Sequence, residues 1–469
     1  MRFLTVLLTF LLLLTACAAP ANRIAGSQAT GAPESRNVVV DGTFETSLLV
    51  TMWKGMPEGT VLFPIDPATG SALPGYKPIS LGQTAFHAFS PDRRTLAVVS
   101  FPDQNTYNGS LMLVDLTTWT TNRFELKLSG WVSTMAFSPD GKWLAIAHGE
   151  SRYKLTMIDI EDGVITAQSK LDSFVARLKF TGDGEALMLY RSTVQPIEQW
   201  KAGPPQIQLL EAADLSPRWS AELRDVHDGI FAKDETVTSA NMHEPGQALY
   251  ISPGLAFAPD RDALYIVQAD SEQLTTVDFE SQRVETVEIQ RKLTWFEHML
   301  LLTGSVAHAK IGDGITRQAV VSPDGRFLYV VGVNSVTFKD QQGNWQMEQT
   351  PLGLEIIQTS DGGLLRRVET DTTEMSLSPE GRFLYLRNWG SSTGYIPWTE
   401  IFDTSSQKIV ARRDKVFASP AMLVNGEFVL TSTYSTSETS HHMSILQPDG
   451  LAVLSEWTDN NYMYWLTTP

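Results

Sequence analysis

The chain repeats one pattern of apolar and polar positions: a short apolar segment, a polar turn, and then a continuous run of large apolar residues. The clearest copy passes from Phe137 through Ser138, Pro139 and Asp140 to the apolar run at 143–146. Proline presets its own φ and aspartate bonds to nearby backbone N–H groups, so the polar segment predicts a tight turn. The apolar run predicts a strand that is buried on both faces. Further copies begin at Phe89, Phe180, Phe257, Val321, Leu377 and Leu423.

Each copy is followed by a second hairpin with a more alternating pattern. Residues 155–159, for example, turn at Asp162 and Gly163 into the segment that starts at Val164. Two consecutive hairpins make a four-stranded antiparallel sheet, and one such sheet per repeat around a ring is a β-propeller. A blade of this kind takes about 40–45 residues, so the longer separations between copies contain insertions. The sequence therefore predicts an all-β fold, a β-propeller of four-stranded antiparallel blades.

The number of blades depends on how the two ends of the chain are used. Seven copies have both hairpins, and an eighth hairpin of the second type lies earlier, around 60–70, after a strand-like segment at 47–52. This early segment lacks an innermost strand, which the chain end at 462–466 can supply. Closure by strands from both termini removes exposed sheet edges. We expect a propeller domain over 38–469 with eight blades, or seven if the first segment packs outside the ring.

The N-terminus is expected to be a targeting signal and not part of the fold. A short apolar stretch after Arg2 ends at Leu14-Thr15-Ala16-Cys17, which resembles the bacterial lipobox. In that pattern the cysteine is lipidated and becomes the first residue; the alternative is an ordinary secretory signal. We expect a lipoprotein signal peptide at 1–16, lipidation of Cys17 and a flexible tether at 17–37. The resemblance implies a lipid-anchored protein on the extracytoplasmic side of the cell membrane, facing the periplasm or the exterior.

The composition excludes several classes of protein. The formal net charge is −17, without a basic stripe in the sequence, so nucleic acid is not an expected partner. Cys17 is the only cysteine, which excludes an intramolecular disulfide framework and a multi-cysteine metal cluster. The sequence has no P-loop, nucleotide-binding glycine motif or nucleophile elbow. We expect no cofactor and a monomer.

The candidate functional residues lie in two insertions that we place on one face of the ring, at 224–254 and 290–318. Long loops on a rigid scaffold are where binding residues concentrate. The first insertion contains His227, Asp228, His243 and Glu244, a combination that can bind a metal or transfer protons, although the spacing matches no known metal signature. The alternative is a solvated acidic loop. Metal content therefore stays open.

The second insertion carries apolar residues at helical spacing together with Trp295, His298 and His308. It predicts a short helix over the ring, with its histidines near the central channel or with the helix simply packed against the blades. Together the two insertions predict a surface for a protein or small-molecule ligand.

The Phe-Ser-Pro-Asp-Gly-x-x-Leu repeat resembles the WD40-like and YVTN-type bacterial propeller repeats over most of the chain from about residue 45. This group includes lactonase-type propellers and the heavy subunit of amine dehydrogenases. The motifs are structural and the group is functionally mixed, so the resemblance implies a fold more than an activity. Two functions are therefore compared below: a binding or scaffold module, which we favour, and a propeller enzyme or enzyme subunit.

Overall fold

The described residues of the computed structural model form an all-β propeller of eight four-stranded antiparallel blades, with almost no helix. They are residues 42–54, 59–82, 84–101, 108–149, 153–192, 204–232, 247–290, 314–339, 342–343, 345–389, 396–437, 440–459 and 463–465. The predicted fold and the larger of the two predicted blade numbers are confirmed. One helical turn, α1 (Gly42–Glu45), precedes the first strand. Among the described residues, no helix is long and apolar enough to cross a membrane.

The first four blades follow the chain in order. Blade 1 contains β1 (Leu48–Trp53), β2 (Thr60–Ile65) and β3 (Ile79–Gly82); blade 2 contains β4 (Thr84–Phe89), β5 (Thr95–Phe101), β6 (Asn108–Asp115) and β7 (Thr120–Ser129). Blade 3 contains β8 (Trp131–Phe137), β9 (Trp143–Gly149), β10 (Tyr153–Asp159) and β11 (Val164–Leu171); blade 4 contains β12 (Phe174–Phe180), β13 (Ala186–Ser192), β14 (Gln206–Glu211) and β15 (Pro217–Glu222).

An additional hairpin, β16 (Gly229–Ala232) and β17 (Ala248–Ser252), separates blade 4 from blade 5. Blade 5 contains β18 (Gly254–Phe257), β19 (Ala263–Val267), β20 (Gln273–Asp278) and β21 (Arg283–Glu288); blade 6 contains β22 (Gly314–Val321), β23 (Phe327–Lys339), β24 (Trp345–Gln358) and β25 (Leu364–Val368). Blade 7 contains β26 (Glu374–Leu377), β27 (Phe383–Asn388), β28 (Trp398–Asp403) and β29 (Lys408–Asp414); blade 8 contains β30 (Ala418–Met422), β31 (Phe428–Ser437), β32 (Ser440–Leu446) and β33 (Val453–Asp459).

The ring closes through a strand from the chain end. Strand β34 (Met463–Trp465) pairs antiparallel with β1, with Val50 opposite Trp465 and Met52 opposite Met463. It thereby becomes the innermost strand of blade 1. The predicted closure by both termini is confirmed, and β34 covers the inner edge of β1, which is the innermost strand of the blade that the N-terminal segment supplies.

The Ser-Pro-Asp segments form the turns between the first and second strands of the blades. In blade 3 the Ser138 hydroxyl donates to Asp140 Oδ1 at 2.6 Å and accepts from the Trp143 backbone N–H at 2.9 Å. Gly141 adopts a φ of +74°, which glycine tolerates without steric cost. The same serine–aspartate contact recurs in blade 2 and blade 6. These aspartates are turn residues, as predicted.

The second strand of a blade supplies much of the core. All residues of β13 are buried, and Leu144, Ala145 and Ile146 of β9 are fully buried. The apolar clusters are shared between neighbouring blades; Ala145 of blade 3, for example, belongs to the cluster that contains Leu187 of blade 4. The fourth strands, such as β11, alternate between half-buried and exposed positions. Burial on both faces therefore holds adjacent blades together.

The strand order defines two faces of the ring. We call the face with the Ser-Pro-Asp turns and the turns between third and fourth strands the bottom face; the opposite face, with the remaining connections, is the top face. On the top side, β23 and β24 extend blade 6 into a two-stranded arm that pairs as far as Lys339 and Trp345. The structure thus places elaborated connections on one side of a regular ring.

Part of the first insertion is a hairpin and not the long loop that the sequence predicted. Strand β17 pairs in parallel with the inner edge of β22, with Ile251 opposite Ile315, so that β16 and β17 add two strands to blade 6. The apolar run in β16 is too short to have been recognised as a strand. In the second insertion, β22 begins at Gly314, so 314–318 belong to blade 6. The intervening residues 291–313 lie outside the described residues.

Candidate functional site

The loop that connects β15 to β16 carries two of the predicted site residues, His227 and Asp228. The loop is fixed by buried Leu223 and Val226, and the Leu223 backbone N–H donates to the Pro205 carbonyl at 2.8 Å. Although His227 and Asp228 are adjacent in sequence, His227 is exposed and Asp228 is 7% exposed. The loop therefore presents an imidazole to solvent and directs a carboxyl into the protein.

Asp228 is buried near polar groups from blade 4. The hydroxyls of Tyr190 and Ser192, both on β13, and the positive charge of Arg177 are close enough to act on its carboxyl. Burial raises the pKa of Asp228 to about 6, because the protein replaces the water that would stabilise the charge; the two hydroxyls and Arg177 lower it only in part. This carboxyl is therefore partly protonated near neutral pH.

Arg177 lies on β12, the innermost strand of blade 4, where a register shift interrupts the pairing with β13. Its side chain reaches solvent, and its Nη1 donates to the neighbouring Ala176 carbonyl at 3.0 Å. The surrounding protein still desolvates the guanidinium enough to lower its pKa, an effect that Asp228 and then Tyr190 oppose. Arg177 is thus a cation at the inner edge of the ring.

Two tyrosines complete the surroundings of Asp228. Tyr190 is fully buried, and its hydroxyl forms no hydrogen bond of normal geometry with a described residue, so its approach to Asp228 is a long one. Burial raises the pKa of Tyr190 well above its ordinary value. Tyr250, on β17, is 38% exposed; burial of its ring and the charge of Asp228 raise its pKa, while a hydrogen bond with Ser252 lowers it. We call Arg177, Tyr190, Ser192, Asp228, Tyr250 and Ser252 the Asp228 cluster.

His227 connects blade 4 to blade 5. Its Nδ1 lies 2.6 Å from Asp270 Oδ2, and its ring packs edge-on against Phe231 with a centroid separation of 5.4 Å. The other carboxylate oxygen of Asp270 is buried without a hydrogen-bond partner in the described part of the chain. Within that part, no three His, Cys, Asp or Glu side chains group closely enough to bind a metal. The pair is suited to proton exchange or to orienting a ligand.

A second feature of the top face is an exposed aromatic stack on blade 7. Trp389 is 45% exposed and stacks on Phe417 with a centroid separation of 3.8 Å. Its indole N–H donates to Glu374 Oε1 at 3.2 Å, and the buried Arg387 lies beneath, over the Phe417 ring. Ile396, at 53% exposure, is another apolar side chain on this face. We call Trp389, Phe417 and Glu374 the Trp389 stack.

The structure describes only part of the predicted site. His227 and Asp228 are present, and Asp228 proves to be the centre of a cluster. His243 and Glu244 lie outside the described residues, as do Trp295, His298 and His308 and the lipidation residue Cys17. Sequence reasoning missed Arg177, Tyr190 and Tyr250. The signal that was available is Arg177 itself, a charge inside the otherwise apolar start of β12.

Comparison with known proteins supports the fold alone. No protein-family model matches the chain, and no curated protein matches it. Among solved structures, the chain is similar to dihydro-heme d1 dehydrogenase NirN in complex with DHE, with a TM-score of 0.53 and 11% identity over 93% of this chain and 77% of that one. It is also similar to a eukaryotic initiation factor, with a TM-score of 0.47 and 12% identity over 90% of this chain and 98% of that one. The structural neighbours are propeller proteins.

Proposed function

We propose that the chain is a membrane-anchored, extracytoplasmic binding protein that captures its ligand on the top face. The Leu14-Thr15-Ala16-Cys17 pattern supports the anchor, and the Ser-Pro-Asp repeats support membership of the WD40-like and YVTN-type bacterial propellers. The elaborated connections of the top face support the location of the ligand site, because binding residues concentrate on long connections of rigid scaffolds.

The Asp228 cluster is the observation that carries the binding proposal. Ligand sites bring a few polar groups together in a largely apolar, protein-lined setting. Here residues from the first strand of blade 4, its second strand, the following loop and the extra hairpin converge on one buried carboxyl. A buried carboxyl with a raised pKa lowers the stability of the fold when it is ionised, and such groups concentrate at functional sites. The Trp389 stack offers an additional apolar contact on the same face.

A thermal-shift screen of polar metabolites tests this function. A ligand that binds the folded protein stabilises it by RT ln(1 + [L]/Kd), about 2.7 kcal/mol at a hundredfold excess over Kd. We expect the midpoint shift to disappear in Asp228→Ala and to persist in Asp183→Asn, a control in the bottom turn of the same blade. Ligands whose shifts are insensitive to both substitutions would argue against a top-face site.

The anchor has its own test. Cys17→Ser is expected to release the protein from the membrane fraction while leaving its thermal midpoint nearly unchanged, because Cys17 precedes the propeller by about 20 residues with an r.m.s. span of roughly 25 Å. Fractionation after high-salt and carbonate washing measures the release. If the substituted protein remained with the membrane, the lipid-anchor proposal would be wrong.

The second candidate function is an enzyme or an enzyme subunit, and the Asp228 carboxyl favours it. General acids and bases work best with a pKa near the operating pH. Asp228 has a pKa of about 6, and His227, its neighbour in the sequence, pairs with Asp270. Turnover of a lactone panel, or of the ligands found in the screen, would distinguish the two functions. Turnover lost in both Asp228→Asn and His227→Gln would favour the enzyme; binding without turnover would favour the binding protein.

A further inference from the structure

We infer that His227 and Asp270 form a proton-accepting dyad on the top face. Asp270 is its positioning residue: it holds the neutral imidazole with the proton on Nδ1, so that Nε2 presents a lone pair to an O–H or N–H group of the ligand. This inference deepens the proposed function and rests on it, because it names the accepting atom and the hydrogen-bonding chemistry of the ligand.

The first argument is the contact between the two side chains. His227 Nδ1 lies 2.6 Å from Asp270 Oδ2, which is within hydrogen-bonding distance. An ionised carboxylate only accepts hydrogen bonds, so the proton in this bond belongs to Nδ1. A neutral imidazole carries one proton, and Nε2 is therefore left as an acceptor.

The second argument is the accessibility of a firmly held imidazole. The His227 side chain is 51% exposed, whereas that of Asp270 is 17% exposed. Phe231 packs edge-on against the imidazole ring at a centroid separation of 5.4 Å, so the ring is held from blade 5 and from β16. The turn that carries Asp270 is itself fixed, since Ser271 Oγ donates to Gln268 Oε1 at 2.8 Å. Nε2 of His227 has no hydrogen-bond partner among the described residues, which leaves it open to a ligand.

The third argument is the way in which the Asp270 carboxylate is used. Its Oδ1 is buried without a hydrogen-bond partner in the described part of the chain, and no described Lys or Arg pairs with this carboxylate. By contrast, the buried Glu355 has a donor on each oxygen, with Arg317 at 2.6 Å and Arg367 at 3.0 Å. An unpaired buried oxygen lowers stability, and such exceptions call for a functional explanation. The described side-chain partner of Asp270 is His227.

A second pair of a histidine and a carboxylate lacks these features. His442 Nε2 lies 3.6 Å from Glu456 Oε2, beyond hydrogen-bonding distance, and the Glu456 side chain is 57% exposed. These two residues lie on adjacent strands of one blade, β32 and β33. The dyad instead joins two blades through a short contact to a partly buried carboxylate. His442 therefore serves as a control histidine within the same chain.

The dyad selects ligands by the direction of their hydrogen bond. The neutral Nε2 accepts a hydrogen bond from an alcohol, a polyol or an amide N–H. An ionised carboxylate offers only acceptors and also meets the negative charge of Asp270. If the chain is an enzyme, Nε2 is the atom that takes the proton, and Asp270 stabilises the imidazolium that forms.

Nitrogen-15 NMR of the full chain with labelled histidine tests the tautomer without a ligand. Spectra are recorded above the end of the His227 titration, and His227→Gln identifies its signals. We expect the proton of the neutral ring on Nδ1 in the parent protein. In Asp270→Asn the amide can donate to Nδ1, so the proton is expected to move to Nε2, whereas Asp270→Glu is expected to keep it on Nδ1. Glu456→Gln is the matched control and should leave the His227 signals unchanged.

Acylation by diethyl pyrocarbonate tests whether Nε2 is an open nucleophile. Nε2 attacks one carbonyl carbon of the reagent; the Nδ1 proton is then released and converts the departing ethyl carbonate to carbon dioxide and ethanol. Peptide mass spectrometry follows the rate at each of the eight histidines. We expect His227 to react several-fold faster than His442. Asp270→Asn should slow His227 about tenfold, the change that corresponds to loss of one charge-assisted hydrogen bond.

The inference is overturned if the neutral His227 ring of the parent protein carries its proton on Nε2, or if Asp270→Asn changes neither the tautomer nor the acylation rate. Circular dichroism and the thermal midpoint confirm that each variant is folded; a lowered midpoint with an unchanged tautomer would make the pair purely structural. The ligand screen separates this inference from the proposed function. A ligand whose midpoint shift survives His227→Gln but disappears in Asp228→Ala would overturn the role of the dyad and leave the binding function intact.

Discussion

Aspartates on the two faces of this ring behave in opposite ways. On the bottom face, hydrogen bonds from a Ser or Thr hydroxyl and a backbone N–H lower the pKa of the turn aspartates Asp92, Asp140, Asp183 and Asp324. On the top face, burial raises the pKa of Asp228 to about 6. The bottom aspartates occupy the same turn in blades 2, 3, 4 and 6, whereas the environment of Asp228 includes β17, which belongs to the additional hairpin between blade 4 and blade 5.

This difference separates structural carboxyls from a candidate functional one. A bottom aspartate is stabilised in its ionised form by its own turn, so folding and ionisation support each other. Asp228 is buried in a place where ionisation is penalised, and no described residue forms an ion pair with it that compensates for the burial. Groups of this kind are retained at sites where a ligand or a proton transfer uses them.

The largest expected effect concerns a buried carboxylate that does have cation partners. Glu355 lies 2.6 Å from Arg317 and 3.0 Å from Arg367, and its side chain is 6% exposed. Glu355→Gln leaves a buried guanidinium unpaired and is expected to lower the free energy of unfolding by about 3–5 kcal/mol. Chemical denaturation measures it. The control Glu211→Gln breaks the exposed pair with Arg218, which solvent screens, and should have a much smaller effect. If Glu355→Gln left the free energy of unfolding unchanged, the distinction between paired and unpaired buried carboxyls would not hold.

Asp228→Asn is expected to act in the opposite direction. The pKa of Asp228 is higher in the folded protein than in the unfolded chain, so the protonated carboxyl stabilises the fold. This stabilisation is complete below the unfolded pKa and is lost as the pH rises through about 6. Removing the charge should therefore raise the free energy of unfolding by up to about 3 kcal/mol at about pH 7.5 and by nothing at about pH 3.5. Denaturant unfolding at both pH values checks this. Equal stability of parent and variant at the higher pH would show that Asp228 is not penalised by folding.

Gly381 tests how tightly the bottom face is constrained. It adopts a φ of +74°, and an added Cβ would lie 2.2 Å from Pro323 Cδ in the preceding blade. Gly381→Ala is expected to destabilise the protein by about 2–3 kcal/mol, through left-handed strain and overpacking together. The matched control is Gly426→Ala, at a φ of +90° with nothing within 4 Å of the added Cβ, which introduces strain alone. If Gly381→Ala and Gly426→Ala lowered the thermal midpoint equally, the turns that contain Gly381 and Pro323 would not be in close contact.

The smallest expected effect is in a single bottom turn. Ser138→Ala removes the hydroxyl that donates to Asp140 and accepts from Trp143, which should cost about 1 kcal/mol. In this variant the pKa of Asp140 should rise towards its ordinary value. On acidification, the stability that the turn gains from ionised Asp140 is then lost at a higher pH than in the parent protein. Carboxyl chemical shifts followed by NMR measure this pKa. Ser169→Ala, at a half-buried position of the outer strand β11, is the control. An unchanged pKa of Asp140 in Ser138→Ala would contradict the role of Ser138.

Much of the fold could be predicted because the signals are local and repeated. The turn at 138–143 depends on residues within five positions of one another, and the same chemistry recurs along the chain. Continuous apolar runs indicated the doubly buried second strands, such as β9 and β13, and the missing inner strand of the first blade indicated closure by the chain end.

The candidate site could be predicted only in part. The sequence identified His227 and Asp228 as a polar pair in an insertion, but their opposite orientations depend on the burial of Leu223 and Val226 against blade 4 and blade 5. Nothing local predicts that β17 pairs in parallel with β22, more than 60 positions further along the chain. In the sequence, Arg177 only makes the pattern of an inner strand irregular, and Tyr190 looks like an ordinary core tyrosine. Neither residue therefore stands out as part of a site.

The sequence by itself determined the repeating unit, its four strands and the bottom turns, because each depends on short-range chemistry that is repeated from blade to blade. It also indicated closure of the ring by the chain end, because the first blade lacks an inner strand of its own. Only the tertiary structure decided that Arg177, Tyr190, Asp228 and Tyr250 share one environment, because the ring brings together segments that are far apart in the chain. It also decided the sign of the pKa shift at each aspartate, since that sign depends on whether hydrogen-bond donors or apolar burial surround the carboxyl.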